Sequence, residues 1–242
     1  MTLVGAGVVI PNFGGSSSNC ARANPLFCFD WVSRNWGGVL WPALREHILL
    51  TAIAVAIGFA ISTTLALLAH RRRWLERPIV TVTLVLYTIP SIALFELLVP
   101  IGGLGLSLTT AEVALVSYTL LILFRNTLAG LREVPEEVRD AARGMGMSAR
   151  QMLWRVELPL ALPAIIAGLR IATVTVISLA TIAPLISVQS LGTPIFNAIA
   201  DNLFKTELIA AGGLAVLLAV AADGSFVLLQ RLLAPWARAR VR

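Results

Sequence analysis

Charge is scarce in this chain. Only 13% of its 242 residues are Asp, Glu, Lys or Arg, against 57% hydrophobic. A soluble domain of this length exposes far more charge, so the class is a polytopic membrane protein. Histidine is limited to His47 and His70, and cysteine to Cys20 and Cys28. The two histidines fall at opposite ends of one apolar run, and no paired carboxylates or metal-ligand spacing appear, which argues against an enzyme and predicts no metal site. No G-x-x-x-x-G-K-[ST] run is present, so the chain cannot hydrolyse ATP through a phosphate loop. The two-residue alternation of barrel strands is missing, which leaves a helical bundle. Met1–Ile10 is apolar but short, lacks a basic leader and runs into Pro11, so no cleavable signal peptide is expected.

Apolar runs, in contrast, are plentiful. Five are long enough to cross the hydrocarbon core of a membrane: Ile48–Ala69, Ile79–Ile101, Ala111–Leu131, Leu162–Ser187 and Glu207–Leu229. Each meets the roughly 20 helical residues that a span requires. The expected fold is therefore all-α, a polytopic bundle of about five transmembrane helices.

The formal charge is +6, and every basic residue except Lys205 is arginine. Arg71, Arg72, Arg73 and Arg77 follow the first run; Arg132, Arg139, Arg143, Arg150 and Arg155 lie in a long central loop; Arg231, Arg238, Arg240 and Arg242 follow the last run. With five spans these regions share one side, and the other side holds only Arg22, Arg34, Arg45 and Lys205. The positive-inside rule makes the basic side cytoplasmic, with the N-terminus outside and the C-terminus inside. A nucleic-acid surface would need a basic face with stacking aromatics, and none is present.

Residues 1–46 precede the first run and read as a mostly non-helical segment outside or along the membrane surface, with a flexible tract at Phe13–Asn19. Cys20 and Cys28 flank an Asn24–Pro25 turn signal; on the outer face they either form a disulfide or stay as two thiols. Trp31, Trp36 and Trp41 suit the membrane interface, with an aromatic cage as the sharper alternative. Residues 47–236 form the membrane domain, with its central loop at 132–160, and 237–242 form a basic cytoplasmic tail. Within the second run, Tyr87, Pro90 and Ser91 mark either a simple bend or a bend on a translocation path. Glu96 either faces a permeating cation or reaches toward the headgroups. Arg170 and Asp223 should lie at similar depth in the fourth and fifth runs and form a buried ion pair. Ser187–Lys205 reads as a re-entrant or amphipathic segment closing the outer mouth of the bundle.

The central loop, Val134–Pro159, is more structured than a connector needs to be. Pro135 suits a first helical turn, and Glu136 and Glu137 complement the positive end of a helix dipole. Val138, Ala141, Ala142 and Met145 recur at helical spacing as one small apolar face. Gly144 and Gly146 allow a stop and a reversal. Ser148 with Gln151 predicts a capping box, and Pro159 and Pro163 mark the way into the fourth span.

This loop resembles the "EAA" loop of binding-protein-dependent ABC importers: E-A-A, three residues, G, nine residues, I, one residue, L-P. Here Asp140-Ala141-Ala142 is followed by Gly146 and then by Val156, Leu158 and Pro159 at every spacing, with Asp for Glu and Val for Ile. The resemblance runs from about His47 to Trp236. RNTLAGL before the loop, ELPLALPAIIAGLRIAT after it, and Thr88–Pro100 (TIPSIALFELLVP) are similar to the osmoprotectant branch. Glu96 and the Ser187–Gly192 segment depart from that branch's pattern.

The resemblance implies a type I ABC importer permease fold and a coupling surface made by Glu137, Asp140, Ala141, Ala142, Gly144, Met145, Gly146, Val156, Leu158 and Pro159. It implies cytoplasmic ATPase subunits that bind ATP and Mg, a second copy or homologous permease, and an extracytoplasmic substrate-binding protein. The chain itself would bind no cofactor. The implied cargo is glycine betaine, carnitine, choline or a related quaternary amine; methionine, sulfonate and other small-solute importers share the architecture.

Overall fold

The computed structural model describes Cys20 and residues 23–236. The expectations for the Phe13–Asn19 tract, Arg22 and the 237–242 tail lie outside the described residues.

Every regular element among them is helical. In chain order these are α1 (Phe29–Asn35), α2 (Trp41–Arg71), α3 (Glu76–Thr88), α4 (Ser91–Leu98), α5 (Leu108–Arg132), α6 (Glu136–Gly144), α7 (Ala149–Met152), α8 (Leu158–Ala180), α9 (Gly192–Ala200) and α10 (Lys205–Leu233). Four helical runs, Phe29–Arg71, Leu108–Arg132, Ala149–Ala180 and Lys205–Leu233, are long and apolar enough to cross a membrane. A bent pair, Arg73–Thr88 with Ser91–Leu98, raises the count to five if it acts as one span.

The helix that carries the first apolar run starts well before it. The segment expected to be non-helical is helical from Phe29, and continues to Arg71 through a π-helical turn at Trp36–Leu40. Gly37 and Gly38 would ordinarily end a helix; here the wider turn absorbs them, with the Trp41 N–H donating to the Trp36 carbonyl. Pro42 then sits in the first turn of α2, directly after the π-helical turn. Trp31 is buried, edge-on to Phe204 with ring centroids 5.3 Å apart, so this segment is anchored to the start of α10. Trp36 and Trp41 are exposed. No cage forms, because steps of five residues splay the three rings around the helix.

The second run does not cross straight. It breaks at Ile89–Pro90, where α3 and α4 diverge by 98°. Pro90 lacks an N–H and pushes the preceding residue into an extended conformation, as the Ile89 ψ of 128° records. The Ile89 carbonyl freed by the break accepts a 2.6 Å hydrogen bond from the Tyr118 hydroxyl on α5.

The bundle centres on α2, α5 and α8. Leu50, Ala54, Leu94, Phe95, Leu115, Val176 and Ile186 form its largest buried cluster. Small residues bring the helices together, as expected where lipid supplies no hydrophobic drive between them. A Cβ on Gly58 of α2 would collide with Thr119 of α5, and one on Gly168 of α8 would lie 2.7 Å from the Asn126 Cβ. Burial in α10 is limited to its first turns, at Thr206, Glu207 and Ala211.

Candidate functional site

The ends of α2 and α5 and the starts of α3 and α8 meet at the basic pole of the bundle. Arg132 at the end of α5 forms a two-pronged bond to Glu76 at the start of α3, at 2.9 and 2.8 Å. The central loop folds across the same pole.

Its first helix, α6, begins after Pro135, carries Glu136 and Glu137 in its first turn and Arg143 in its last. It ends in a Schellman motif: the Met147 N–H donates to the Ala142 carbonyl (3.1 Å) and the Gly146 N–H to the Arg143 carbonyl (2.9 Å). Gly146 takes the left-handed conformation this reversal needs, with φ at +76°. The capping box follows, with Ser148 N–H donating to Gln151 Oε1 at 2.9 Å and Gln151 N–H to Ser148 Oγ at 3.3 Å.

No break separates α7 from the fourth span. A π-helical turn at Leu153–Glu157 leads straight into α8, with Pro159 in its first turn and Pro163 inside it. The Leu158 N–H reaches five residues back to the Leu153 carbonyl, a register shift that leaves the following proline at a helix start.

The outward side of α6 is open. Val138, Ala141 and Met145 are exposed, Met145 at 69%. Glu137, Asp140, Gly144 and Gly146 are exposed beside them. The apolar face is narrower than its spacing suggests, because Ala142 turns inward and is buried. Val156, Leu158 and Pro159 are half-buried, and Leu158 packs on Leu131, Leu153, Ala161 and Ile165. Charges clamp the exposed surface: Arg143 donates to Glu136 (2.9 Å) and Asp140 (2.7 Å). The Arg143 guanidinium, and after it Arg139, holds the Glu136 carboxyl below the usual carboxylate range, while Glu136 raises Arg143.

The inward side is tied down by residues that local spacing did not single out. Arg139 Nε donates to Glu157 Oε1 at 2.9 Å and its Nη2 to the Leu131 carbonyl at 2.8 Å. Glu157 Oε2 lies 3.2 Å from His70 Nε2. His70 is thus bonded to the loop. These residues are up to 87 positions apart, so no sequence window contains the network.

Toward the other pole, Tyr87 and Tyr118 meet edge to face at 6.0 Å beside the Pro90 break. Ser91 opens α4, and Glu96 is exposed on it. Arg170 and Asp223 bond through Nε–Oδ1 (2.8 Å) and Nη2–Oδ2 (2.9 Å). Their side chains are 33% and 39% exposed on the flank of the chain, not buried as expected, because α10 lies on the bundle's outside. Cys20 and Cys28 are disulfide-bonded, with Cα atoms 6.2 Å apart. The loop between them is held to the α9–α10 corner by Asn24, which donates to the Leu203 carbonyl and accepts from the Lys205 N–H.

Two further residues were given no role in the sequence reading. His47 is fully buried, its Nε2 3.1 Å from the Ile177 carbonyl and its Nδ1 accepting from the Leu191 N–H at 3.3 Å. A single neutral tautomer, protonated on Nε2, satisfies both bonds. Glu112 on α5 buries both carboxylate oxygens with no hydrogen-bond partner among the described residues. No group of three metal-ligating side chains occurs among them either.

Residues 54–239 match the family model for the binding-protein-dependent transport system inner membrane component. Over 202 residues the chain is 38% identical to the osmoprotectant import permease protein OsmW of Salmonella typhimurium, covering 82% of this chain and 93% of that one. It is 34% identical over 207 residues to the choline transport system permease protein OpuBB of Bacillus subtilis, covering 85% and 94%. A solved chain of the MetNI methionine ABC transporter, inward-facing, superposes with a TM-score of 0.74 at 21% identity over 81% of this chain and 96% of that one, which shows a shared fold. With a helical bundle, a punctuated loop at its basic pole and a family match over most of its length, the chain belongs to the binding-protein-dependent inner membrane components: it is a multi-pass permease subunit of an ABC importer, and separate subunits hydrolyse the ATP.

Proposed function

We propose that this permease forms half of the path by which a small quaternary amine osmolyte, of the glycine betaine, carnitine or choline type, enters the cell. The observation that carries the cargo is the likeness, along more than four-fifths of the chain, to permeases named for osmoprotectant and choline transport. In this reading the basic pole is cytoplasmic and the N-terminus outside. The exposed face of α6 docks on an ATPase subunit. A second copy or a homologous permease completes the path, and an extracytoplasmic binding protein delivers the cargo.

The mechanics follow from the loop's construction. Energy released in the ATPase reaches the gate only through stiff contacts, and a capped helix ending in a Schellman turn transmits displacement where a floppy connector would not. The break at Pro90 lies on the path, with Tyr87, Ser91 and Glu96 around it. Proline frees a backbone carbonyl there, and such groups are tolerated at membrane depth where protein or water satisfies them.

The test is uptake by proteoliposomes holding the permease with its ATPase and binding protein. ATP-dependent accumulation of radiolabelled glycine betaine, carnitine or choline, competed by excess of another quaternary amine and not by methionine, is the expected result. Accumulation of methionine or a sulfonate, with none of the amines, would overturn the cargo assignment.

A further inference from the structure

We propose that Glu157 is the positioning residue that makes the docking helix and the membrane bundle move as one body. The proposal rests on the reading of α6 as the ATPase contact. Glu157 lies in the π-helical turn ahead of α8, and its side chain is 5% exposed. A carboxylate buried to that extent is strongly unfavourable unless both oxygens are paired. Here each oxygen takes a different element. Oε1 accepts from Arg139 of α6 at 2.9 Å, and Oε2 meets His70, next to the last residue of α2, at 3.2 Å. Arg139 then carries the chain of bonds to α5 through the Leu131 carbonyl, at 2.8 Å. One carboxylate therefore ties α6 to the cytoplasmic ends of α2, α5 and α8.

Apart from the Arg139 bond to the Leu131 carbonyl and the buried Val134 ahead of the helix, the α6 attachment is weak. Its outward ion pairs, Arg143 with Glu136 and Asp140, are internal to the helix and exposed, and exposed pairs contribute little. Ala142 supplies only a small buried side chain. The covalent links at each end are single turns, and the one at Gly146 is a left-handed glycine. Without Glu157, α6 can swing on these turns and follow the ATPase while the bundle stays still. Arg139 orients α6 through Glu157, and His70 orients Glu157.

The experiment compares substrate transported per ATP hydrolysed in proteoliposomes holding the whole transporter. Glu157→Gln keeps the shape and removes the charge. The ratio is expected to fall about tenfold, in the range of typical coupling energies, while ATP hydrolysis continues. A purely structural loss would lower both activities together and leave the ratio unchanged, which would overturn the proposal. Arg139→Gln, which also loses the Leu131 carbonyl bond, should lower the ratio at least as far as Glu157→Gln, and the double variant should be no worse than Arg139→Gln alone; multiplicative losses would overturn the pairing. If Glu157→Gln does not assemble, His70→Gln decides, with a several-fold fall in the ratio expected and an unchanged ratio counting against the idea. Met145→Glu on the exposed face separates the two readings. If α6 is not the ATPase contact, Met145→Glu leaves hydrolysis and transport intact. If α6 is the contact and Glu157 is not its tie, Met145→Glu disrupts ATPase binding while the Glu157→Gln ratio stays at the wild-type value.

Discussion

The Tyr118 hydroxyl donates to the Ile89 carbonyl at 2.6 Å, within the right-angle break between α3 and α4. That carbonyl lies outside both helices, since α3 ends at Thr88 and α4 starts at Ser91. Tyr118 is buried on α5, so the bend is referenced to the core of the bundle. Tyr118→Phe keeps the ring packing on Tyr87 and orphans the carbonyl. The expected loss is about 1–3 kcal/mol of stability. Thermal unfolding in detergent should show a lower midpoint, and uptake should fall with it; an unchanged midpoint would mean the bond contributes nothing.

Gly146 holds a φ of +76° at the end of α6. A residue with a Cβ costs roughly 1–2 kcal/mol in that conformation. Gly146→Val should leave the chain inserted, weaken ATPase binding and abolish uptake. Membrane-fraction immunoblots and uptake assays check both halves, and retained uptake would count against α6 as the docking element.

Arg170 and Asp223 share a two-pronged bond on the flank of the chain. Neutralising either alone strands a charge at membrane depth, and neutralising both does not. Arg170→Gln and Asp223→Asn should each lower the amount of assembled permease, with the double variant closer to wild type. Additive losses would show that the two groups act separately.

The exposed clamp on α6 predicts a sign for its pH dependence. Arg143 and Arg139 hold the Glu136 carboxyl below its usual range. A carboxylate depressed in the folded state contributes stability that is complete above its unfolded pKa of about 4.3 and is lost as the pH falls through the folded value. Amide exchange in α6 should therefore keep this protection at neutral pH and lose it only below the ordinary carboxylate range. In Glu136→Gln that acid-dependent step should vanish.

Glu112 carries two buried oxygens with no partner among the described residues. Replacing such a group with an apolar one of similar size is commonly stabilising. Glu112→Met should raise the unfolding midpoint. A lower midpoint would mean that the carboxylate has a partner in the assembled transporter.

Local chemistry made much of the fold legible. Apolar runs of membrane length, arginines gathered on alternate connections, and the Ser148–Gln151 cap each act within a few residues, so they can be read without coordinates. The motif from Asp140 to Pro159 was legible for the same reason, since the geometry of a helix, a left-handed glycine and a capped return is set by the residues that make it. The local reading failed where a wider turn carried the helix on. Residues 1–46 read as mostly non-helical, yet Gly37 and Gly38 lie within a continuous helical run from Phe29, because a π-helical turn accommodates them. Pro159 starts α8 as its place ahead of the fourth span suggested.

By itself, then, the sequence determined that the chain is a helical membrane bundle with one built loop on its basic side. Those properties follow from hydropathy, charge placement and short-range capping. Only the tertiary structure decided what that loop is fastened to. Glu157 reads in sequence as the unassigned residue between Val156 and Leu158. In three dimensions it joins His70 and Arg139, 87 positions and 18 positions away, at 3.2 and 2.9 Å. Burial of a charge must be answered by whatever donors packing brings near, and helix packing, not chain order, brought these two.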